Sequence, residues 1–438
     1  MTPRTSPGRF DAIIVGAGPA GSAVAIELAR AGWSVALIEK QRFPRRKVCG
    51  ECIAASNLPM LEALGVHGAV DALAGPALRQ VSLLRGDAAV TAALPAADHD
   101  RYRWGRALGR EVLDGLLLEQ ARAAGAIVFQ PCAVQGIGGT PGAWQCELRM
   151  LASAALLRLR ASVLVDAHGS WEDLPSDRPR RRQTRGADDL FAFKANFSAS
   201  SLPMGQISVL ALDGGYGGMV VADGGMTTLA CCIRRDRLSA LRLRSPGVRA
   251  SGVVQAWLLR ECSGVRQALH CVSPEWPWLS SGPLAPGVRL GVDDGIFRVG
   301  NAAGEAHPIL GEGMSMALQS ASLLCFHLLT GTGTAAVPAA AGQPKLQQAY
   351  AAAWRRQFGP RLRLAALFAH LAMRPGSSAA LMKLVQLWPG LLTQGARWGG
   401  KVRTPAWAAT AGPAVARRAG LSPATPRGPL THPQEEST

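Results

Sequence analysis

Aromatic residues are sparse in this 438-residue chain, at 5% with three tyrosines. No basic stripe interleaved with aromatics occurs, so the net charge of +17 does not point to nucleic acid, and no nucleic-acid partner is expected. Lysine is also scarce (Lys40, Lys47, Lys194, Lys345, Lys383 and Lys401), so arginine carries the positive charge. No run of 18 apolar residues exists, which excludes a membrane-spanning helix. The Met1 to Arg9 leader lacks an apolar h-region, so no secretory signal is expected. Nine cysteines are scattered and their number is odd. Cys49 and Cys52 form a C-x-x-C, yet no second pair follows at zinc spacing, and Cys231 and Cys232 are adjacent. A disulfide framework and a metal site are therefore not expected, and the chain reads as a reduced cytoplasmic protein.

What is present begins at Phe10. Ile13 to Val15 is a short β-branched run that predicts a buried parallel strand. Gly16, Gly18 and Gly21 then give G-x-G-x-x-G, followed by Pro19, Ala20 and a helix predicted over Ser22 to Arg30. Gly16 allows the tight turn, Gly18 lets the backbone approach a pyrophosphate, and Gly21 lets the helix pack close to the strand. The helix N-terminus supplies N–H groups for phosphates. Gly32 stops the helix, Trp33 to Ile38 reads as the second strand, and Glu39 stands at its end to bind a ribose hydroxyl. Strand, helix, strand and acid in this order specify a nucleotide site, which a glycine triplet alone would not.

Further along, residues 41 to 57 read as a loop with a basic cluster that includes Arg46. Met60 to Leu73 reads as a helix, Arg79 to Leu94 as paired strands and Glu111 to Ala124 as an amphipathic helix. Ile127 to Ile137, Trp144 to Leu151 and Ala161 to Asp166 read as strands. Residues 173 to 189 are polar and arginine-rich and read as a solvated loop. Phe191 to Phe197, Ile207 to Leu212, Met219 to Val221 and Met226 to Arg234 supply a β-rich block that interrupts the α/β pattern. A strand at Phe297 to Gly300 and a helix from Met314 to Leu329 return to it. Residues 331 to 344 are a linker. Leu362 to Trp398 is a basic, apolar helix pair that either lies on a membrane surface or caps an apolar pocket. The fold class expected is α/β: a Rossmann-type βαβ domain with an inserted β-sheet domain and C-terminal helices.

Three later segments carry a resemblance. They are Arg106-Ala-Leu-Gly-Arg110, Val163-Leu-Val-Asp166-Ala-His168-Gly169-Ser170, and Val299-Gly300-Asn301-Ala302-Ala303-Gly304 leading to Pro308-Ile-Leu-Gly311-Glu312-Gly313-Met314. With the opening unit they stand in the order and spacing of the FAD-dependent monooxygenase superfamily. That group includes para-hydroxybenzoate hydroxylase, flavin-dependent halogenases and geranylgeranyl reductases. Phe43-Pro-Arg45-Arg46-Lys47-Val-Cys49-Gly50-Glu51 and Phe193-Lys194 look most similar to the geranylgeranyl reductase and halogenase branches. The resemblance implies FAD held by Gly16, Gly18, Pro19, Ala20, Gly21, Glu39, Lys40, Arg46, Cys49, Gly50, Arg110, Gly300, Asn301, Ala302, Ala303, Gly311, Glu312, Gly313 and Met314. The domains expected are an FAD-binding domain over 8–75, 105–175 and 285–330, a substrate domain over 76–104 and 176–284 and a helical region over 345–403, while residues 404–438, rich in Pro and Ala, read as a disordered tail.

Two positions depart from the family. Asn301 stands where Asp is usual; restoring Asp there is expected to keep or tighten FAD binding. His168 replaces the acid of Ala-Asp-Gly, which in the hydroxylases serves NADPH reduction, and Asp166 is expected to point the other way. Trp276-Pro-Trp278 resembles the start of the tryptophan halogenase box, but Ser280-Ser281 follow and no catalytic lysine motif is present, which disfavours halogenation. Tyr216, in a Gly-rich turn, either lines a substrate pocket or packs a β-turn.

The expected function is hydroxylation of a hydrophobic aromatic or polyketide-like small molecule through a flavin C4a-hydroperoxide, with NAD(P)H as a transient donor or a separate flavin reductase as partner. The alternatives are a geranylgeranyl-reductase-like C=C reductase acting on lipids, and a non-catalytic escort protein of the GDP-dissociation-inhibitor type. The catalytic residues stay unassigned. The location expected is cytoplasmic, with peripheral contact at the inner membrane surface as the C-terminal helices' second reading.

Overall fold

The computed structural model describes residues 8–170, 174–175, 186–270, 272–330 and 336–398. Most of the arginine-rich loop expected over 173–189 and the whole tail over 404–438 lie outside the described residues.

Along the chain, β1 (Arg9–Val15), α1 (Pro19–Arg30) and β2 (Val35–Ile38) make the opening unit. There follow β3 (Cys52–Ile53), α2 (Leu58–Leu64), α3 (His67–Leu73), β4 (Gln80–Arg85), β5 (Ala88–Ala93), β6 (Arg106–Ala107) and α4 (Arg110–Ala123). Next come β7 (Ile127–Phe129), β8 (Cys132–Gly138), β9 (Trp144–Met150), β10 (Leu156–Asp166), β11 (Leu190–Phe197), β12 (Gln206–Leu212), β13 (Gly215–Val221) and β14 (Thr227–Arg234). Then α5 (Arg235–Leu243), α6 (Ala250–Glu261) and α7 (Ser263–Ala268) precede β15 (Leu279–Leu284), β16 (Gly287–Val288), β17 (Phe297–Arg298) and β18 (Gly304–Glu305). The remaining described helices are α8 (Gly313–Thr330), α9 (Gln343–Met373), α10 (Pro375–Leu387) and α11 (Gly390–Trp398).

The first sheet runs β7-β2-β1-β10-β9-β8, with β17 beside β10. β1 pairs in parallel with β2 and β10, as a strand buried on both faces requires. On one face α1 packs against α4 and α8 through Val24, Leu28, Leu117, Leu324 and Leu328, all buried. This apolar layer holds the N-terminus of α1 at the carboxyl ends of the parallel strands, where α/β sheets bind ligands.

The second sheet runs β15-β11-β14-β13-β12-β4-β5, antiparallel except for β12 on β4. Residues 80–93, far from the β-rich block in sequence, complete this sheet. One face is closed by α5 to α7 around the fully buried Trp257; these helices were not legible in the sequence. The other face packs Leu83, Tyr216 and Cys232 against Ala369, Ala372, Met382 and Val385 of α9 and α10.

Two helix expectations differ from the structure. The helix expected over 60–73 is two helices, because Gly65 takes φ 85° and ends the first one in a left-handed cap. The pair expected over 362–398 is the end of the 31-residue α9 followed by α10 and α11. Pro375 opens α10 at its first turn, where a missing N–H costs nothing. No helix among the described residues is long and apolar enough to cross a membrane.

Candidate functional site

The glycine loop is built as its sequence implies. Gly16 has φ 103°, and a Cβ there would meet Ala167 O at 2.5 Å. A Cβ on Gly21 would stand 1.8 Å from Gly16 O, so the first turn of α1 can close on the strand only with glycine. Gly18 differs: the nearest atom to its Cβ position is an Arg110 guanidinium nitrogen at 3.7 Å. No close protein contact therefore requires glycine at this position.

Glu39 is buried, and its carboxylate accepts the Ala17 N–H at 2.9 Å and the Gln41 N–H at 2.8 Å. It thereby ties the end of β2 to the glycine loop. Arg110, in the first turn of α4, is gripped by Asp114 through two bonds of 2.7 and 2.8 Å, both residues buried. The i,i+4 spacing puts the two on one helix face. Arg45 lies 3.6 Å from Glu39 and 3.8 Å from Asp114, and its buried Nε has no hydrogen-bond partner. Lys47 reaches the same place, 3.3 Å from the Cβ position of Gly169. Burial, and then the charges of Arg110 and Arg45, push its pKa down to about 8. Three cations, an open glycine and a helix N-terminus make a donor set for a pyrophosphate. The partnerless Arg45 N–H and the open space beside Gly18 fit a bound FAD pyrophosphate.

A cavity of about 470 Å³ opens from this point. Gly18, Pro19, Ala20, Cys49, Gly50, Arg110, Gly300, Asn301, Gly311, Gly313 and Met314 all line it, so most residues named from the sequence converge. Gly16, Gly21 and Glu39 stand behind the glycine loop. Glu312 is buried and paired with Arg361 of α9. Ala302 and Ala303 are buried off the wall, and Lys40 is exposed. Arg46, expected at the cofactor, turns away: it donates to Pro277 O at 2.8 Å and covers the Trp276 ring. Its neighbours Arg45 and Lys47 take the inward positions, a shift of one residue that a basic run cannot reveal.

Gly300 has φ 58°, and its N–H donates to Ser320 Oγ at 2.8 Å. The Asn301 amide donates to Ser170 Oγ at 2.7 Å, and Ser170 donates to Glu305 at 3.0 Å. Asn301 is thus a donor, the role a family aspartate would not have. The N-terminal turn of α8 reaches the cavity through Gly313, Met314 and Ala317.

Beyond the glycine motifs the wall is apolar: Val81, Leu83, Ile207 and Val209 of the second sheet face Phe368, Ala372, Leu381 and Val385. Tyr216 lines this part, and its hydroxyl lies 3.3 Å from His307 Nδ1. Burial raises the Tyr216 pKa well above 10 and lowers that of His307 to about 4. Both are therefore neutral at pH 7. The C-terminal helices cap a greasy pocket and also pack on the sheet.

Other expectations resolve structurally. Asp166 and His168 point the same way, as residues two apart at a strand end do. His168 Nδ1 bonds the Asp166 carboxylate, and His168 stands off the cavity wall. Cys49 and Cys52 are not joined in a disulfide. Trp276 and Trp278 do not line the cavity. Sequence reasoning missed Glu51 as a site residue. Its carboxylate accepts bonds from Lys194 of β11, from the Thr228 hydroxyl and from the Arg110 N–H at 3.2 Å. The signal was the pair of quoted motifs, Cys49-Gly50-Glu51 and Phe193-Lys194, one acid and one base with no stated partners.

The family model described as FAD binding domain matches residues 9–350. Conditioned medium factor receptor 1 of Dictyostelium discoideum is 26% identical over 73% of this chain and 63% of its own. Tryptophan 2-halogenase of Chondromyces crocatus is also 26% identical, over 71% of this chain and 59% of its own. The chain thus spans about three fifths of the length of these curated relatives. The myxobacterial chondrochloren halogenase CndH has the same fold, with a TM-score of 0.69 at 17% identity, covering 95% of this chain and 98% of that one. The chain belongs to the FAD binding domain family, within the FAD-dependent monooxygenase superfamily, with FAD as its cofactor.

Proposed function

We propose that this flavoenzyme is a monooxygenase that hydroxylates a lipophilic aromatic or polyketide-like small molecule. The observation that carries the reading is the continuity of one cavity from Gly18, Gly300 and Gly313 to the apolar face of the second sheet. Its volume of about 470 Å³ lies in the range of small-molecule sites. Bound FAD supplies two-electron chemistry and, once reduced, the activation of oxygen.

The chain's own residues do the rest. Gly18, Arg45, Lys47 and Arg110 would hold the pyrophosphate, and Glu39 a ribose hydroxyl. The N-terminal turn of α8 would offer the bound cofactor N–H groups and a positive dipole end, which favour negative charge. The apolar sheet face and α9 to α11 exclude water from the ligand. Tyr216 keeps its proton at neutral pH and can donate it in a hydrogen bond to a ligand oxygen. With His168 held by Asp166, the electrons come from transiently bound NAD(P)H or from a separate flavin reductase.

A second reading, C=C reduction on a lipid, is favoured by Cys49, a free thiol in the cavity wall. Oxygen uptake measured with NAD(P)H across lipophilic phenols, polyketide aromatics and prenyl lipids separates the two. Uptake matched by a hydroxylated product is expected. A saturated C=C bond without oxygen uptake supports the second reading, and a halogenated product in chloride or bromide overturns both.

A further inference from the structure

Part of the cavity wall belongs to the C-terminal helices. Leu384 and Leu387 on α10, Trp388 at its C-terminal cap and Leu391 in the first turn of α11 are exposed apolar side chains close together in the chain. Their exposures are 40%, 72%, 62% and 37%. The opposite side of α10 is spent on packing, with Met382 and Val385 against the second sheet. The exposed side chains are therefore not core that has been misplaced. Leu384 and Leu391 also line the cavity, as does Trp398, itself 63% exposed. Side chains that belong at once to the cavity wall and to the surface ring its mouth.

Charge adds a second, independent observation. From Glu312 to Glu435 the chain contains no aspartate or glutamate, while thirteen lysines and arginines fall in that interval. Arg374, Lys383 and Arg397 are exposed on or beside the same helices. Exposed leucines with Trp388 among them and Trp398 nearby, on helices that carry cations and no acid of their own, match an anionic lipid interface: acyl chains take the leucines, the headgroup level takes the indoles, and lipid phosphates take the cations.

We propose that the α10–α11 end docks on an anionic bilayer with the cavity mouth facing the leaflet, so that the ligand enters from the membrane. The docking stands on the surface alone, whereas ligand entry rests on the lipophilic-substrate reading above. The two can fail separately.

The test is sedimentation of the full-length holoprotein with vesicles of phosphatidylcholine alone and of phosphatidylcholine containing about one quarter phosphatidylglycerol, at low and at raised salt. Partitioning at least about tenfold stronger to the phosphatidylglycerol vesicles is expected, weakening with salt. The double variant Leu387→Ser/Trp388→Ser should lose this by a similar factor while keeping its flavin content and unfolding temperature, since both side chains are exposed. Brominated acyl chains should quench the tryptophan fluorescence of the wild type more than that of the variant. Absence of vesicle binding, or binding the double variant retains, overturns the proposal. If heparin then displaces the retained binding, the basic surface adsorbs polyanions and nothing more. If the full chain fails to bind but a chain lacking residues 399–438 binds, its own C-terminal segment covers the face. A concentration-dependent dimer abolished by the double variant, without lipid binding, assigns the face to a second copy. Each of these outcomes contradicts membrane docking, and none requires turnover.

Discussion

Glu51 and Lys194 form an ion pair between the cofactor loop and the second sheet, each side chain 1% exposed. Glu51 holds φ 59°, a left-handed conformation unusual for a residue with a Cβ. The Thr228 hydroxyl and the Arg110 N–H occupy its other acceptor positions. A buried pair so fully hydrogen-bonded fixes geometry more than it adds stability. Here it fixes where Cys49 and Gly50 stand in the cavity wall.

Lys194→Met leaves the Glu51 carboxylate buried without its cation. Stability should fall by about 3–5 kcal/mol, read from denaturant unfolding, and the flavin content per chain should fall with it. Adding Glu51→Gln to that variant should restore most of the stability. No recovery in the double variant would show that Lys194 acts through packing rather than through its charge.

Gly18 and Gly21 should behave differently when replaced by valine. A Cβ at Gly18 meets no protein atom closer than an Arg110 nitrogen at 3.7 Å, so Gly18→Val should unfold at nearly the wild-type temperature yet carry no FAD. Gly21→Val must displace backbone that lies 1.8 Å away and should not fold. Thermal melts and flavin absorbance of the two proteins check both statements.

Lys47 makes the binding of FAD pH-dependent. Its pKa in the folded chain without an anion is about 8, below its ordinary 10.5. A bound pyrophosphate favours the ammonium and raises that value, so binding takes up a proton above pH 8. Affinity should be flat below pH 8 and weaken above it, approaching tenfold per pH unit. The apoprotein shows the opposite sign. Between pH 8 and 10.5 the unfolded chain holds more protons, so its stability rises with pH. Lys47→Met should remove both slopes; FAD titrations across this range decide it.

Asn301→Asp should weaken FAD binding about tenfold, roughly 1.4 kcal/mol, instead of tightening it. The Ser170 hydroxyl already donates to Glu305 and accepts from the Asn301 amide. A carboxylate at 301 would compete with Glu305 for one proton. Equal or tighter binding would mean that Ser170 and Glu305 rearrange at no cost.

The parts legible in the sequence were those where local chemistry leaves one solution. Gly21 is dictated by the Gly16 carbonyl five residues away, Gly16 by its own positive φ in the tight turn, and Arg110 stands at a helix start with Asp114 one turn on. The rest depended on distant partners. Which of Arg45, Arg46 and Lys47 faces inward is set by Glu39, Asp114 and Trp276 from three other segments. Asn301 looked like a weakened aspartate until Ser170 and Glu305 stood beside it. The α5–α7 layer was missed because its short helices are anchored by Trp257 and a sheet assembled from separated segments, and no periodic stripe announces them.

The central claim is that oxygen, activated beside the glycine motifs, reaches a ligand held against the second sheet. The most direct measurement is turnover under ¹⁸O₂, followed by mass spectrometry of the product. The account predicts a product carrying one ¹⁸O atom, and loss of that product when Ala372→Trp fills the cavity while flavin content is unchanged. A product that gains two hydrogens and no ¹⁸O, formed equally well without oxygen, would contradict it.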